Sequence, residues 1–109
     1  MYGNGGYGCG SGGTLPVCSK PAGNAKVSGG ELCDMAGNVW QWVQDGYQSS
    51  YAHAPSDGSA SEASDYDRVM RGGSFISRDI FDLRADGRSG DIPRASYASL
   101  GFRLARDVR

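Results

Sequence analysis

The sequence predicts a small domain of short strands and long ordered loops rather than a helical bundle. Glycine supplies 18 of the 109 residues, and each glycine inside a helix costs about 1 kcal/mol relative to alanine. Aromatic residues make up 10% of the chain, so a small core would rest largely on large rings. No apolar pattern supports a helix longer than about ten residues. A chain of this length predicts one domain, residues 1–109.

The first half of the chain contains one strong strand candidate. Residues 1–30 are rich in glycine and carry Pro16 and Pro21, which predicts an irregular looped segment. Residues 31–45 hold the densest apolar cluster, and the β-branched and aromatic residues at 39–43 favour a buried strand entered through a Gly-Asn turn. A helix is the alternative, because the apolar spacing also fits a helical period.

The second half alternates loops with strands. Residues 46–66 are polar and predict a long surface loop. Residues 66–75 predict a strand broken by a double glycine, where a bulge or a close backbone approach is expected. Residues 76–99 predict a loop-rich stretch with a short strand at 83–88, and the alternation at 100–106 predicts a final strand.

The charge balance and hydropathy argue against several classes of protein. A formal net charge of −1 and a pI near 5.7 argue against a nucleic-acid partner. No apolar run approaches the ~18 residues of a membrane helix, so membrane insertion is not expected. The first residues lack the basic-then-apolar pattern of a signal peptide, which leaves the localisation unknown.

The cysteines predict a disulfide rather than a zinc site. Cys9, Cys18 and Cys33 lack the close pairs of zinc ligands, and the single histidine, His53, is expected to have no special role. Either Cys9 with Cys18 or Cys18 with Cys33 would form one bridge. Such a bridge would indicate an extracytoplasmic location, and a reduced cytosolic chain would have neither.

Three motifs occur in order: LCDMAGNVWQWV at 32–43, RVMRGGSF at 68–75 and LGFRLAR at 100–106. Together with LPVCSKPAGN at 15–24 and APSDGSA at 54–60, they resemble the C-terminal part of the formylglycine-generating enzyme (sulfatase-modifying factor) family, in particular its bacterial members. The resemblance implies an α+β, C-type-lectin-like fold with a small antiparallel or mixed sheet and extensive irregular loops. The family domain is more than twice as long, so the match is to a truncated form of it.

The same resemblance bears on chemistry. The family oxidises a substrate cysteine to formylglycine with a pair of cysteines, which bind copper in the aerobic enzymes. Gap-free alignment from Arg71 places Ser77 and Asp82 at those positions. Neither residue supplies the thiolates that Cu(I) needs, and the iron site of sulfoxide-synthase relatives would need several histidines. We therefore expect no copper, no catalytic residues, and a domain that binds a protein or small-molecule ligand. The alternative is a fragment or partner-dependent form of the oxidase, acting on sulfatase cysteines.

A calcium site is also implied by the resemblance. Carried over position by position, its ligands are the side chains of Asp34 and Gln41 and the backbone carbonyls of Gly37 and Val39. Oxygen donors of these types suit Ca²⁺, although the family usually has Glu where Gln41 stands. The alternative is a turn in which the side chain of Asp34 only caps the backbone.

The loops at 76–99 are the predicted binding surface, because binding groups concentrate on loops held by a rigid scaffold. The predicted ligand-binding residues are Arg78, Asp79, Phe81, Asp82, Asp86, Ser96 and Tyr97. The segment contains no Lys, Glu, Gln, Met or Trp, which resembles the diversified stretch in variable proteins of diversity-generating retroelements. An ordinary polar loop is the alternative.

Two further expectations concern stability. Arg71 and Arg103 lie in motif segments and are predicted to be structural, pairing with carboxylates and backbone carbonyls through their forked donors. A core this small gains most from extra burial, so a homo-oligomer is predicted as a partner arrangement.

Overall fold

The computed structural model describes residues 12–62 and 66–106. These residues form two small sheets joined by long loops. A 3₁₀ turn at Pro21–Gly23 precedes the first sheet, and a second 3₁₀ turn at Ile80–Leu83 lies in the loop-rich region. The first sheet is an antiparallel hairpin of β1 (Ala25–Val27) and β2 (Gly30–Leu32). The main sheet consists of β3 (Trp40–Gly46), β4 (Arg68–Arg71), β5 (Ser89–Asp91) and β6 (Leu100–Gly101).

The main sheet is mixed, which is one of the two arrangements that the family resemblance implies. Its strand order is β5-β4-β3-β6. The β5–β4 and β4–β3 pairs are antiparallel, whereas β3 and β6 run parallel, with Trp40 opposite Leu100. The register of β3 against β4 shifts between Trp42 and Gly46, so the C-terminal half of β3 departs from a regular ladder before the following loop begins.

Among the described residues, the buried apolar side chains are both in β4. Val69 is 1% exposed and Met70 is 7% exposed. By contrast, Phe102 and Leu104 are 74% and 90% exposed. The apolar core is therefore small, and backbone and side-chain hydrogen bonds hold much of the loop structure in place.

Several element predictions are confirmed and several are wrong. The strand predicted at 39–43 is β3, so the helical alternative is wrong. The segment at 1–30 is predicted to be irregular and looped with few strand-forming runs, and its described part contains β1 and the first residue of β2. The final strand predicted at 100–106 is confined to Leu100–Gly101, because β3 offers a parallel partner only at Trp40 and Gln41.

The strand predicted at 83–88 is also wrong. Its first residue ends the 3₁₀ turn Ile80–Leu83, and the strand of this region lies later, at Ser89–Asp91. The side chain of Asp79 accepts a hydrogen bond from the Phe81 backbone N–H at 2.9 Å, which caps the turn. The capped 3₁₀ turn therefore forms at the start of this segment, where the weak apolar pattern predicts a strand.

The double glycine provides a close backbone approach, as predicted. Gly72 has φ +95°, and a Cβ atom there would lie 2.9 Å from the Met35 carbonyl oxygen. The Gly37 N–H donates to the Gly72 carbonyl at 2.6 Å. A side chain at position 72 would therefore clash with backbone while holding a left-handed conformation that only glycine adopts freely.

No helix among the described residues is long and apolar enough to cross a membrane.

We expect Gly72→Ala to destabilise the fold by about 1–3 kcal/mol, because the new methyl group meets the Met35 carbonyl in a disfavoured backbone region. Gly23→Ala is the matched control, since a Cβ atom there meets nothing within 4 Å. Its effect should stay within about 0.5 kcal/mol. Urea denaturation of both variants measures the difference, and equal midpoints would contradict the close approach.

Candidate functional site

A surface cleft of about 320 Å³ lies between the loop after β3 and the stretch that leads into β5. Its lining combines three aromatic rings with two guanidinium groups and one carboxylate. We refer to it as the aromatic–arginine cleft, lined by Tyr47, Ser49, Tyr51, Phe81, Arg84, Asp86, Gly87 and Arg88.

Backbone contacts fix the two tyrosines of the cleft. Tyr47 follows β3, and its N–H donates to the Asp67 carbonyl at 2.9 Å. Its ring packs on the bare backbone of Gly90, where a Cβ atom would lie 2.5 Å from the ring. The Tyr51 hydroxyl donates to the Asp86 carbonyl at 2.8 Å. The wall of the cleft is thus attached to both the β3 and the β5 sides of the sheet.

Three arginines lie at or near the cleft, and they differ in the groups that they contact. Arg71 donates to the Ala85 carbonyl at 3.0 Å and to the Tyr51 hydroxyl at 2.8 Å, which confirms its predicted structural role. Arg84 makes two hydrogen bonds to the carboxylate of Asp86, at 2.9 and 3.0 Å. These two guanidinium groups are therefore held by partners within the chain itself.

Arg88 differs from the other two arginines. Its guanidinium lies 4.1 Å from the centroid of the Tyr51 ring and 5.5 Å from that of Tyr47, close enough for cation–π attraction. No carboxylate within the described parts of the chain pairs with it. The cleft therefore presents a positive charge on an aromatic support.

The capped 3₁₀ turn at Ile80–Leu83 contributes Phe81 to the opposite side of the cleft. Phe81 stays 60% exposed, and the guanidinium of Arg84 lies 5.6 Å from its ring centroid. A Cβ atom at Gly87 would clash with the Phe81 carbonyl oxygen. The chain therefore doubles back tightly after the turn, and Phe81 lines the same cleft as the two tyrosines.

The structure brings together only part of the predicted binding set. Phe81 and Asp86 line the cleft, and Asp79 caps the turn that carries Phe81. The other predicted residues do not line it: Arg78, Asp82, Ser96 and Tyr97.

Sequence reasoning did not assign six of the cleft residues to a binding site: Tyr47, Ser49, Tyr51, Arg84, Gly87 and Arg88. The available signal was the pair of tyrosines four positions apart in an otherwise polar loop.

Ser77 occupies one of the two positions where the family resemblance places its cysteine pair, and the structure gives it a local role. Its side chain is among the buried polar groups, at 7% exposure. The Ser77 Oγ accepts from the Ser74 N–H at 2.9 Å, and the Ser77 N–H donates to the Ser74 carbonyl at 3.1 Å. The second position, Asp82, lies half-buried in the 3₁₀ turn.

The loop proposed to hold calcium has a dense set of internal contacts. The Oδ2 atom of Asp34 accepts from the Cys18 N–H at 2.8 Å. The side-chain amide of Gln41 donates to the Asp34 carbonyl at 2.7 Å, and its Oε1 accepts from Arg103 Nε at 2.6 Å. The calcium site stays a prediction. The donor set fits a divalent ion poorly, because the one side-chain oxygen of Gln41 already bonds a cation.

The structure selects one disulfide pairing. Cys18 and Cys33 are bonded, with their Cα atoms 5.2 Å apart, and they are 15 positions apart in sequence. The predicted alternative with Cys9 is replaced by this pair, and Cys9 itself lies outside the described residues. The bridge joins the segment before β1 to the residue that precedes Asp34.

The chain matches the sulfatase-modifying factor enzyme 1-like domain over residues 7–108. It is 34% identical over 102 residues to a formylglycine-generating enzyme of Streptomyces coelicolor, covering 84% of this chain and 30% of that protein. It is 37% identical over 99 residues to the serine/threonine-protein kinase Pkn1 of Chlamydia trachomatis, covering 88% of this chain and 15% of the kinase.

Among solved structures, PvdO from Pseudomonas aeruginosa is similar with a TM-score of 0.71 and 33% identity. The alignment covers 89% of this chain and 36% of the PvdO chain. The chain therefore spans about a third or less of the length of these relatives.

One pair outside the cleft predicts a measurable pH dependence. The Tyr97 hydroxyl donates to the Asp91 carboxylate, which lowers the pKa of Asp91, and the same hydrogen bond raises the pKa of Tyr97. The bond therefore stabilises the fold at neutral pH. That contribution is lost as pH falls through the lowered pKa of Asp91 and as pH rises through the raised pKa of Tyr97.

In Tyr97→Phe we expect the pKa of Asp91 to rise towards its ordinary value of about 3.9. An NMR titration of the side-chain carboxyl signals measures the change. Asp57 serves as the internal control, because Ser59 rather than a tyrosine lowers its pKa. An unchanged pKa of Asp91 in the variant would contradict the assignment.

Proposed function

This chain belongs to the sulfatase-modifying factor family, and from that premise we propose that it is a non-catalytic member that binds a protein or small-molecule ligand in the aromatic–arginine cleft. The observation that carries the proposal is the guanidinium of Arg88, which lies on the Tyr51 and Tyr47 rings with no carboxylate partner among the described residues. An exposed aromatic, Phe81, lies in the same lining.

The non-catalytic part of the proposal rests on Ser77 and Asp82. The Ser77 hydroxyl is buried and bonded to the Ser74 backbone, so it is committed to holding a turn. A carboxylate at position 82 is a hard oxygen donor, whereas Cu(I) selects soft thiolates. These two side chains therefore offer no route to the cysteine oxidation of the formylglycine-generating relatives.

The chemistry of the cleft indicates the class of ligand. Two tyrosine rings and Phe81 offer flat apolar contact area, and aromatic groups at desolvated centres contribute most to binding. A guanidinium is planar and carries a fork of N–H donors that matches a carboxylate or phosphate, and the structure places that of Arg88 over the Tyr51 ring at 4.1 Å. The cleft therefore suits a flat apolar group that carries an anionic substituent, either free or as part of a peptide.

Benzoate and phenyl phosphate are simple probes of this cleft. We expect either probe to shift the amide NMR signals of Tyr47, Tyr51 and Phe81, because their rings line the cavity. Arg88→Met should weaken this binding at least tenfold, since it removes the anion-binding group while keeping an apolar stem.

Arg94→Met is the matched control, because Arg94 is exposed and does not line the cleft. It should bind the probes as the unmodified chain does. Shifts distributed over other surfaces, or equal binding by Arg88→Met, would show that the cleft is not the binding site.

The second candidate function is a fragment or partner-dependent formylglycine-generating oxidase. It is favoured by one observation: the chain spans only 30% of the Streptomyces coelicolor enzyme, so other chain segments could contribute groups. Against it stands the absence of thiols at positions 77 and 82.

We expect the chain to form no formylglycine when it is incubated with copper, oxygen and a peptide that carries a sulfatase cysteine motif. The reason is that Ser77 and Asp82 cannot ligate Cu(I) as thiolates do. Mass spectrometry of the peptide measures the aldehyde, and a peptide with serine in place of cysteine gives the background. Aldehyde above that background would favour the oxidase.

The Cys18–Cys33 bridge supports a location outside the cytoplasm, because disulfides persist in oxidising compartments. We include that location in the proposal.

A further inference from the structure

The strongest cluster outside the cleft surrounds the side chain of Arg103. Its Nε donates to Gln41 Oε1 at 2.6 Å. Its Nη2 donates to the carbonyls of Cys33 at 2.9 Å and Asp34 at 3.0 Å. One guanidinium therefore gathers three oxygen acceptors, two of them backbone carbonyls and one a side-chain amide. These are the acceptor types that a calcium ion also selects.

Two hydrogen bonds, one at its nitrogen and one at its oxygen, fix the orientation of the Gln41 side-chain amide. Its nitrogen donates to the Asp34 carbonyl at 2.7 Å, so its oxygen must face the other way, towards Arg103. The Asp34 carbonyl accepts from both Gln41 and Arg103. The Gln41 amide, the Asp34 carbonyl and the Arg103 guanidinium are therefore joined to one another by hydrogen bonds.

Charge disfavours a divalent ion sharing these oxygens. Asp34 is the one carboxylate among the four predicted metal ligands, and its Oδ2 already accepts from the Cys18 N–H. An ion bound to Gln41 Oε1 would lie next to a guanidinium that bonds the same atom. The divalent ion and the guanidinium would repel each other, and the repulsion is stronger at a protein surface than in bulk water.

We propose that the guanidinium of Arg103 is the built-in cation of the loop at 34–41, so that this loop is ordered without Ca²⁺. The choice of glutamine rather than glutamate at position 41 suits this role. A neutral amide can donate to one carbonyl while it accepts from the guanidinium, whereas a carboxylate can only accept. The arginine also ties the segment after β6 to the disulfide-bonded Cys33.

Thermal unfolding with millimolar CaCl₂ or with EDTA tests the proposal. The unmodified chain should give the same Tm in both, because a ligand raises Tm only when it binds the native state. Arg103→Gln should lower Tm equally in both media. The double variant Arg103→Gln with Gln41→Glu should gain a calcium-dependent rise in Tm, since the guanidinium is gone and a second carboxylate is present.

Arg106→Gln is the matched control, because it removes the same charge from the same segment without touching the three acceptors. It should leave Tm nearly unchanged. If Arg103→Gln does not fold, the side-chain Nε–H signal of Arg103 decides the question in the unmodified chain. That signal should exchange slowly with solvent and stay unshifted when CaCl₂ is added. A calcium-dependent rise in Tm of the unmodified chain, or a rapidly exchanging Nε–H, would overturn the proposal.

Discussion

The tight turn at 34–38 packs against the bare backbone of Gly72, and most of the described structure depends on that approach. The Gly37 N–H donates to the Gly72 carbonyl at 2.6 Å, and the Phe75 N–H donates to the Asn38 carbonyl at 2.8 Å. The side-chain amide of Asn38 exchanges two hydrogen bonds with the backbone of Leu15. A turn held on so many sides fixes the start of β3, from which the main sheet extends.

β4 transmits this constraint to both the core and the cleft. Its central residues, Val69 and Met70, are the buried apolar side chains of the described chain. The next residue, Arg71, reaches across to the Ala85 carbonyl and the Tyr51 hydroxyl, and Gly72 follows it. Four successive residues therefore serve the core, the cleft and the turn, so the cleft is supported by the same strand that fills the interior.

The sequence was sufficient for features that depend on local chemistry. The strand through Trp40, the close approach at the double glycine and the carbonyl-binding role of Arg71 all follow from residue type and spacing. The cleft was only partly predictable, because it joins Tyr51 from one loop to Arg88 from another. The strand order of the sheet determines whether these two loops come together, and no local sequence pattern encodes the strand order. The pairing of β3 with β6 could not be predicted from the sequence for the same reason.

That pairing has a consequence for how the chain folds. Trp40 and Leu100 are partners in a parallel ladder although a large part of the chain separates them, and long-range contacts of this kind form slowly because closing the intervening loop costs entropy. Until residues 100 and 101 arrive, β3 presents an unpaired edge that carries two tryptophans. Unpaired edges are templates for pairing with other chains. During synthesis or refolding, the vulnerable species is therefore a partly folded chain in which β4 already lies on one side of β3 while its other side is still open to a neighbour.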